Sequence, residues 1–202
     1  METFAAIEQR RSVKKFDPDH AISEDDIQKL MSAAVLSPTS FNIQNWRFVL
    51  ITDPGRKAAV RDVGYHQAQF GDCSVIVILC ADLAAHARKP ERYWRNAEDS
   101  VRDVVVPMIT GLYGDNPGLQ HDEALRSCGI AAQTIMLAAK DLGYDSCPMV
   151  GFDFAKVGEL INLPADHEIV MAVAVGKSIV EANPRAGQLP LEDVVVRDRF
   201  AG

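Results

Sequence analysis

The sequence lacks the features that mark a membrane protein or a secreted protein. It contains no uninterrupted apolar run long enough to cross a bilayer. Residues 1–4 also lack the basic and then apolar layout of a secretory signal. We therefore expect a cytoplasmic protein that has no membrane partner.

Cysteine and histidine are scarce as well, with four and five residues respectively. The cysteines form no CxxC pair and have no histidine at metal-ligand spacing, so we predict no metal site. Cys73 and Cys80 lie at the two ends of a β-branched run, which favours buried packing over redox chemistry. Packing is also the favoured interpretation for Cys147.

Positive charge is in deficit, because 21 Lys and Arg residues face 28 Asp and Glu residues, for a formal net charge of −7. Such a balance disfavours a general nucleic-acid surface, and we expect no nucleic-acid partner. A concentrated group of cations nevertheless lies between Arg10 and Lys15. A local positive patch on a negative body suits a small anionic ligand.

The first candidate site is this basic segment, where Arg10, Ser12 and Lys14 alternate along the chain. On an extended backbone the three side chains would project to one side, and Arg11 and Lys15 would face the other way. Arginine forks and mobile lysine charges are the donors that phosphate groups prefer. The alternative is that a basic cluster in an acidic protein is only a solvated surface.

A second polar segment supports the binding interpretation. Pro38, Thr39 and Ser40 follow a predicted helix, and Asn42 and Gln44 then alternate before a predicted strand. Loops anchored on a rigid scaffold are common positions for binding groups, and these side chains supply neutral donors and acceptors.

With these motifs the chain resembles the nitroreductase family of FMN-dependent oxidoreductases. The likeness covers nearly the whole chain in the expected order. It is carried by residues 8–16, 38–48 and 143–152, and by 176–177 together with 189–195.

The resemblance implies an α+β fold, a three-layer α/β/α sandwich whose central, mostly antiparallel sheet is flanked by helices. It also implies a homodimer in which each C-terminal arm reaches across to the partner. A small-residue stripe on the helix predicted at 121–142 is more often a core face than an interface, whereas in this family long central helices form the dimer contact.

The resemblance further implies FMN as cofactor and NAD(P)H as a transient co-substrate, and no GxGxxG motif is present for a resident dinucleotide. The flavin would carry the chemistry, with no catalytic side chain. Gln69 is a weaker candidate for a pyrimidine contact, the alternative being a surface polar residue. The implied roles are the phosphate and ribityl chain for Arg10, Arg11, Ser12 and Arg185; the pyrimidine edge for Lys14; a backbone N–H at flavin N5 for Val150 and Gly151; and contacts from the neighbouring subunit for Pro38, Thr39, Ser40 and Asn42.

The implied reaction is ping-pong hydride transfer from NAD(P)H to a nitroaromatic, a quinone or a related electrophile. Alternatives are a non-catalytic flavin carrier or sensor, or a family variant such as a dehalogenase or azoline oxidase. The cluster of Tyr93, Trp94 and Arg95 either covers the open flavin face or packs as an ordinary helix–loop contact.

Local patterns predict one domain, residues 1–202, because 202 residues with 48% hydrophobic content can bury one sizeable core. A Ser23 cap opens a helix that Pro38 ends. Further helices are predicted at 4–9, 54–63, 91–111, 121–142 and 153–161, and strands at 46–52, 73–81, 144–150 and 168–175. Pro107 is expected to end or kink its helix, residues 111–118 to form a loop, and residues 191–196 to have strand character.

Overall fold

The computed structural model describes residues 1–200, which form eight α-helices and four β-strands. The helices are α1 (Thr3–Gln9), α2 (Glu24–Ala34), α3 (Pro54–Val63), α4 (Ala68–Asp72), α5 (Asp99–Tyr113), α6 (Pro117–Asp141), α7 (Phe154–Leu160) and α8 (Leu191–Val194). The strands are β1 (Trp46–Ile51), β2 (Val75–Asp82), β3 (Asp145–Met149) and β4 (His167–Gly176). Two short 3-10 segments, Ser40–Asn42 and Pro90–Trp94, complete the described elements.

The strands form one sheet in the order β1-β2-β4-β3, and every neighbouring pair is antiparallel. All eight residues of β2 are buried, as expected for a β-branched run in a central position. The start of β1, the end of β2 and the start of β4 lie at the same end of the sheet. Trp46 of β1 pairs with Ala81 of β2, and Asp82 of β2 pairs with His167 of β4.

Each face of the sheet carries its own core. Along β2, Val75, Val77 and Leu79 pack with α2 and α6, whereas Ile76 and Ile78 pack on the opposite face with residues of α3, α4 and α7. This alternation follows from the two-residue period of a strand. It confirms the α+β, three-layer α/β/α prediction.

Helix α6 crosses one face of the sheet and begins earlier than the sequence analysis predicted. Asn116 caps it by accepting a hydrogen bond from the Leu119 N–H at 3.1 Å, and Pro117 occupies the first turn. Proline suits that position because its missing N–H would have no partner there. The turn signal at residues 114–118 is therefore a helix start, and the predicted loop at 111–118 is too long.

Helix α5 runs through Pro107, although the sequence predicts a break there. An internal proline costs a helix about 3 kcal/mol. Ile109 and Tyr113, both almost fully buried beyond the proline, offset this cost by packing into a small core with Ile43 and Tyr93. The predicted start at residue 91 is also wrong, because residues 90–94 form a 3-10 turn.

The C-terminal segment corrects another prediction. Residues 191–194 form one exposed helical turn in the single chain instead of the predicted strand. A strand needs a neighbour to satisfy its backbone groups, and this segment has no strand beside it in the described residues. Pro190 before the turn and the acidic pair Glu192 and Asp193 inside it favour a helix start.

No helix within residues 1–200 is long and apolar enough to span a membrane.

Candidate functional site

The basic segment lies along the edge of the sheet as an extended chain. Ser12 forms a parallel bridge with Ser146 of β3, and the Val13 N–H donates to the Ser146 carbonyl at 3.0 Å. Val13 is buried and therefore fixes the alternation of its neighbours. Arg10 and Lys14, two residues on either side of Ser12, both lie close enough to Cys147 to influence its thiol electrostatically. Arg10 and Lys14 thus lie on one side, as the alternation predicts, but Arg11, expected to face the other way, lines a cavity together with Arg10 and Ser12.

Arg185 joins this segment from far along the chain. Its Nη2 donates to the carbonyls of Ile7, Glu8 and Arg10 at 3.4, 3.2 and 3.2 Å. These carbonyls lie in the last turn and at the C-cap of α1, where a helix leaves acceptors without intrahelical partners and where cations are favoured. The capping contact brings two arginines together that are 175 residues apart in sequence.

Residues from the two ends of the chain line an open cavity of about 320 Å³, which we call the Arg10 cavity. Its lining comprises Arg10, Arg11, Ser12 and residues 183–188. Arg11 also donates to the Asn183 carbonyl and lines a neighbouring cavity with Lys140 and Asp145. The structure thus brings together four of the predicted phosphate-binding residues, with Arg11 partly directed elsewhere.

Electrostatics at Arg10 favour an anion. Burial lowers the pKa of the Arg10 guanidinium, and the cations of Arg185 and Arg11 lower that pKa further. A group whose neighbours disfavour its charge gains most when an opposite charge arrives. A phosphate in the Arg10 cavity would supply that charge together with acceptors for a guanidinium fork.

Lys14 and Cys147 form the next contact along the segment. The Lys14 Nζ lies 3.5 Å from the Cys147 Sγ. Burial raises the pKa of the Cys147 thiol, although Lys14 and Arg10 oppose this shift. Burial likewise raises the pKa of Cys73, Cys80 and Cys128 to about 12 each. All four cysteines are buried free thiols, as the packing prediction requires.

Residues 38–44, which we call the elbow, have an unusual backbone. Phe41, Asn42 and Gln44 have φ values of 51°, 55° and 43°, in the left-handed region that non-glycine residues rarely adopt. The Gln44 N–H donates to the Thr39 Oγ1 at 3.0 Å, and the Ser40 N–H lies 3.4 Å from the Glu123 Oε1.

The 3-10 segment at residues 90–94 holds the elbow from outside. The Trp94 Nε1 donates to the Phe41 carbonyl at 2.9 Å, and the Asn42 Nδ2 donates to the Tyr93 carbonyl at 2.8 Å. Tyr93 is anchored in turn, because its hydroxyl donates to the Ala85 carbonyl at 3.2 Å. Tyr93 and Trp94 therefore pack against the elbow, whereas Arg95 makes neither of these contacts.

Val150 and Gly151 follow β3, beyond its last paired residue, Met149. The Gly151 carbonyl accepts a hydrogen bond from the Gln67 Nε2 at 2.5 Å, a contact that the sequence analysis did not predict. No motif marks Gln67, and only the packing of α3 and α4 brings it there. Gln69 on α4 is buried, so the surface interpretation of this residue is wrong.

The elbow and the basic segment line different cavities in the single chain. Asn42 lines a cavity with Arg92 and Arg95, whereas Arg10 and Ser12 line the Arg10 cavity. Contacts from the elbow of a neighbouring subunit to a flavin stay a prediction.

One group within residues 1–200, Asp82, Asp166 and His167, has the spacing of metal ligands. The Asp82 Oδ2 accepts from Arg47 at 2.8 Å and from Arg88 at 3.2 Å, and its Oδ1 accepts from the Ala84 N–H at 3.0 Å. Because donors already surround this carboxylate, we assign the group to a structural ion-pair network.

Comparison with known proteins finds relatives along most of the chain. The nitroreductase family model matches residues 7–177. Protein DrgA of Synechocystis sp. is 50% identical over 196 residues, which cover 95% of this chain and 93% of that protein. An oxygen-insensitive NADPH nitroreductase of Helicobacter pylori is 30% identical over 190 residues, with 89% of each chain covered.

Among solved structures, a protein from Exiguobacterium sibiricum in complex with FMN matches 97% of both chains with a TM-score of 0.90 and 26% identity. A nitroreductase-like protein from Streptococcus mutans matches 96% of both chains with a TM-score of 0.85; at 23% identity it supports the fold alone. The family match covers well over half of the chain, from the end of α1 to the end of β4. The chain belongs to the nitroreductase family.

Proposed function

We propose that the protein is an FMN-dependent oxidoreductase that transfers hydride from NAD(P)H to a nitroaromatic, a quinone or a similar electrophile. The observation that carries the proposal is the Arg10 cavity, where Arg10, Ser12 and Arg185 converge from the two ends of the chain. The FMN complex of the Exiguobacterium relative and the NADPH-dependent Helicobacter relative support the choice of cofactor and co-substrate.

The residues of this structure fit the terminal phosphate of FMN. Burial, and after it the neighbouring Arg185 and Arg11 cations, lower the pKa of Arg10, and a bound dianion would favour its charged form. A single phosphate matches one compact cluster of cations, whereas FAD would require further contacts for its adenylate half. Arg10 and Arg185 would hold the phosphate, and the Ser12 hydroxyl would bind beside it.

Bound FMN would accept hydride from NAD(P)H and deliver it to the acceptor in a second half-reaction, as a ping-pong scheme requires. Lys14 would stabilise negative charge at the pyrimidine edge of the reduced ring. Its neighbour Cys147 stays a neutral thiol because burial raises its pKa, so the Lys14 charge is available. The N–H groups of Val150 and Gly151 lie beyond the last residue of the strand ladder, and the Gly151 carbonyl accepts a hydrogen bond from Gln67.

The active form would be a homodimer with the elbow of each chain completing the partner's site. Apolar residues on α5 support this arrangement, since Val101, Val104, Met108 and Leu112 repeat along one helical face and are 41–61% exposed in the single chain. The exposed C-terminal arm would pair with the partner and change there from a helical turn to a strand. Single-domain organisation and a cytoplasmic location remain predictions.

The decisive experiment combines cofactor identification with turnover. We expect the purified protein to be yellow, to release FMN on heating, and to oxidise NAD(P)H only when a nitroaromatic or a quinone is added. Bound FMN without turnover across an acceptor panel would favour the flavin carrier or sensor. Turnover confined to a halogenated substrate or an azoline would identify a family variant, and bound FAD would contradict the site model.

A further inference from the structure

A second basic cavity of about 430 Å³ lies where the 3-10 segment at residues 90–94 meets the start of β1. Arg47, Arg92 and Arg95 line it together with neutral side chains, and no carboxylate is among the lining residues. We propose that this triple-arginine cavity binds the phosphate groups of the NAD(P)H that donates hydride. The inference rests on the proposed function, because it assigns a place to that co-substrate.

The charge balance of the cavity is positive. Arg47 is neutralised by the buried Asp82, to which it donates at 2.8 Å, so that two cations remain uncompensated in the lining. In a chain of formal net charge −7, most of the surface repels a ligand that carries several negative charges. A cavity with two guanidinium groups that have no acidic partner among residues 1–200 is a place where such a ligand can be held.

The arginines are arranged to receive a phosphate. Arg92 donates to the Tyr93 hydroxyl at 2.6 Å and lies 4.7 Å from the centre of the Tyr93 ring, so its side chain is positioned before a ligand arrives. Pre-positioning reduces the entropy that binding must overcome. Arg95 is exposed, and its planar fork can form paired hydrogen bonds to phosphate oxygens.

The position of the cavity favours the dinucleotide over an unrelated anion. Asn42, an elbow residue that the family resemblance assigns to the partner's flavin, also lines this cavity and bonds to Tyr93. A ligand anchored here by its phosphates would have its other end near that flavin. The Arg10 cavity is lined by different residues, so FMN and the dinucleotide each have their own cations. The volume lies within the roughly 300–1,000 Å³ of small-molecule sites, and the open shape suits a ligand that must leave.

The test compares a donor that carries phosphates with one that carries none. The flavin-loaded protein is assayed with NADPH and with N-benzyl-dihydronicotinamide, which has the reacting ring but no phosphate. For Arg95→Ala, we expect the ratio of kcat/KM for NADPH to kcat/KM for the neutral donor to fall at least about tenfold. Arg95→Lys should recover part of that ratio. Arg56→Ala removes another exposed arginine, beyond the far end of β1, and should leave the ratio unchanged.

A binding measurement separates this inference from the reaction itself. ADP, titrated calorimetrically into the flavin-loaded protein, should bind at least about tenfold more weakly to Arg95→Ala than to the parent protein or Arg56→Ala. An unchanged donor ratio with unchanged ADP affinity would overturn the assignment, as would equal losses with both donors, which would make Arg95 a structural support. If neither donor supported turnover, the proposed function would fail, and the ADP titration would still decide whether the cavity binds phosphate.

Discussion

Replacing Arg10 by alanine tests the Arg10 cavity most directly, because we expect it to weaken FMN binding and to leave folding nearly unchanged. Removing one charge-assisted contact to a phosphate costs about 1.5–3 kcal/mol. Since Arg10 is partly exposed, we take about 2 kcal/mol, which corresponds to a roughly 30-fold higher Kd for FMN. Folding should be nearly unaffected, because burial and the neighbouring Arg185 and Arg11 cations already disfavour the Arg10 charge in the folded chain.

The assay is a fluorescence titration of FMN into flavin-free protein, accompanied by thermal unfolding of the same sample. We expect Arg10→Ala to weaken FMN binding with a change in unfolding free energy within about 0.5 kcal/mol. Lys15→Ala removes the same charge from the same segment but at an exposed position predicted to face the other way, and should change the Kd little. Equal losses for both variants would mean that only the summed charge attracts FMN. Unchanged affinity in Arg10→Ala would refute the assignment of the cavity.

Three further variants test other parts of the structure. Trp94→Phe removes the indole donor to the Phe41 carbonyl. We expect a loss of about 1 kcal/mol in stability and weaker retention of FMN. Unchanged unfolding and unchanged FMN retention would contradict an anchoring role for Trp94. Tyr144→Phe removes the 2.8 Å hydrogen bond to Asp26, the largest cause that lowers the Asp26 pKa. A carboxyl group whose pKa is lowered on folding stabilises the fold at pH values above its ordinary pKa of 3.8, and this stability is lost as the pH falls through the folded pKa. In urea unfolding, the parent protein should therefore lose more stability than the variant on acidification below pH about 4. Deleting the chain from Leu189 onward should weaken dimerisation and flavin retention together in sedimentation with flavin absorbance, and a truncated monomer that keeps full FMN would show that each chain builds its own site.

The sequence predicted best those elements whose own residue pattern determines which side chains are buried. The run from Val75 to Ala81 is apolar at every position, so its place in the middle of a sheet follows from burial alone. The alternation of Arg10, Ser12 and Lys14 was also readable, since Val13 between them is the apolar residue that must turn inward. In both cases the two-residue period of an extended chain carries the information.

The remaining features depend on contacts that no local pattern records. Arg185 reaches the Arg10 cavity because the end of α1 needs partners for its last carbonyls, and nothing near Arg185 in sequence shows which helix it will cap. Pro107 stays inside α5 because Tyr113 is buried beyond it, a tertiary gain that outweighs a local penalty. Residues 191–196 favour a strand by propensity, yet propensity acts only where another strand lies alongside.

The backbone of the elbow links these contacts to function. Three non-glycine residues in the left-handed region cost on the order of 1–3 kcal/mol each, and such strain persists only where surrounding contacts over-determine the conformation. Trp94 and Tyr93 provide those contacts from outside, Thr39 provides one from within, and Arg47 donates to the Gln44 carbonyl at 2.8 Å. Several donors and acceptors of the elbow are thereby fixed before any ligand or partner chain binds. If the site is shared between two subunits as proposed, dimerisation would not have to spend association energy on ordering the elbow.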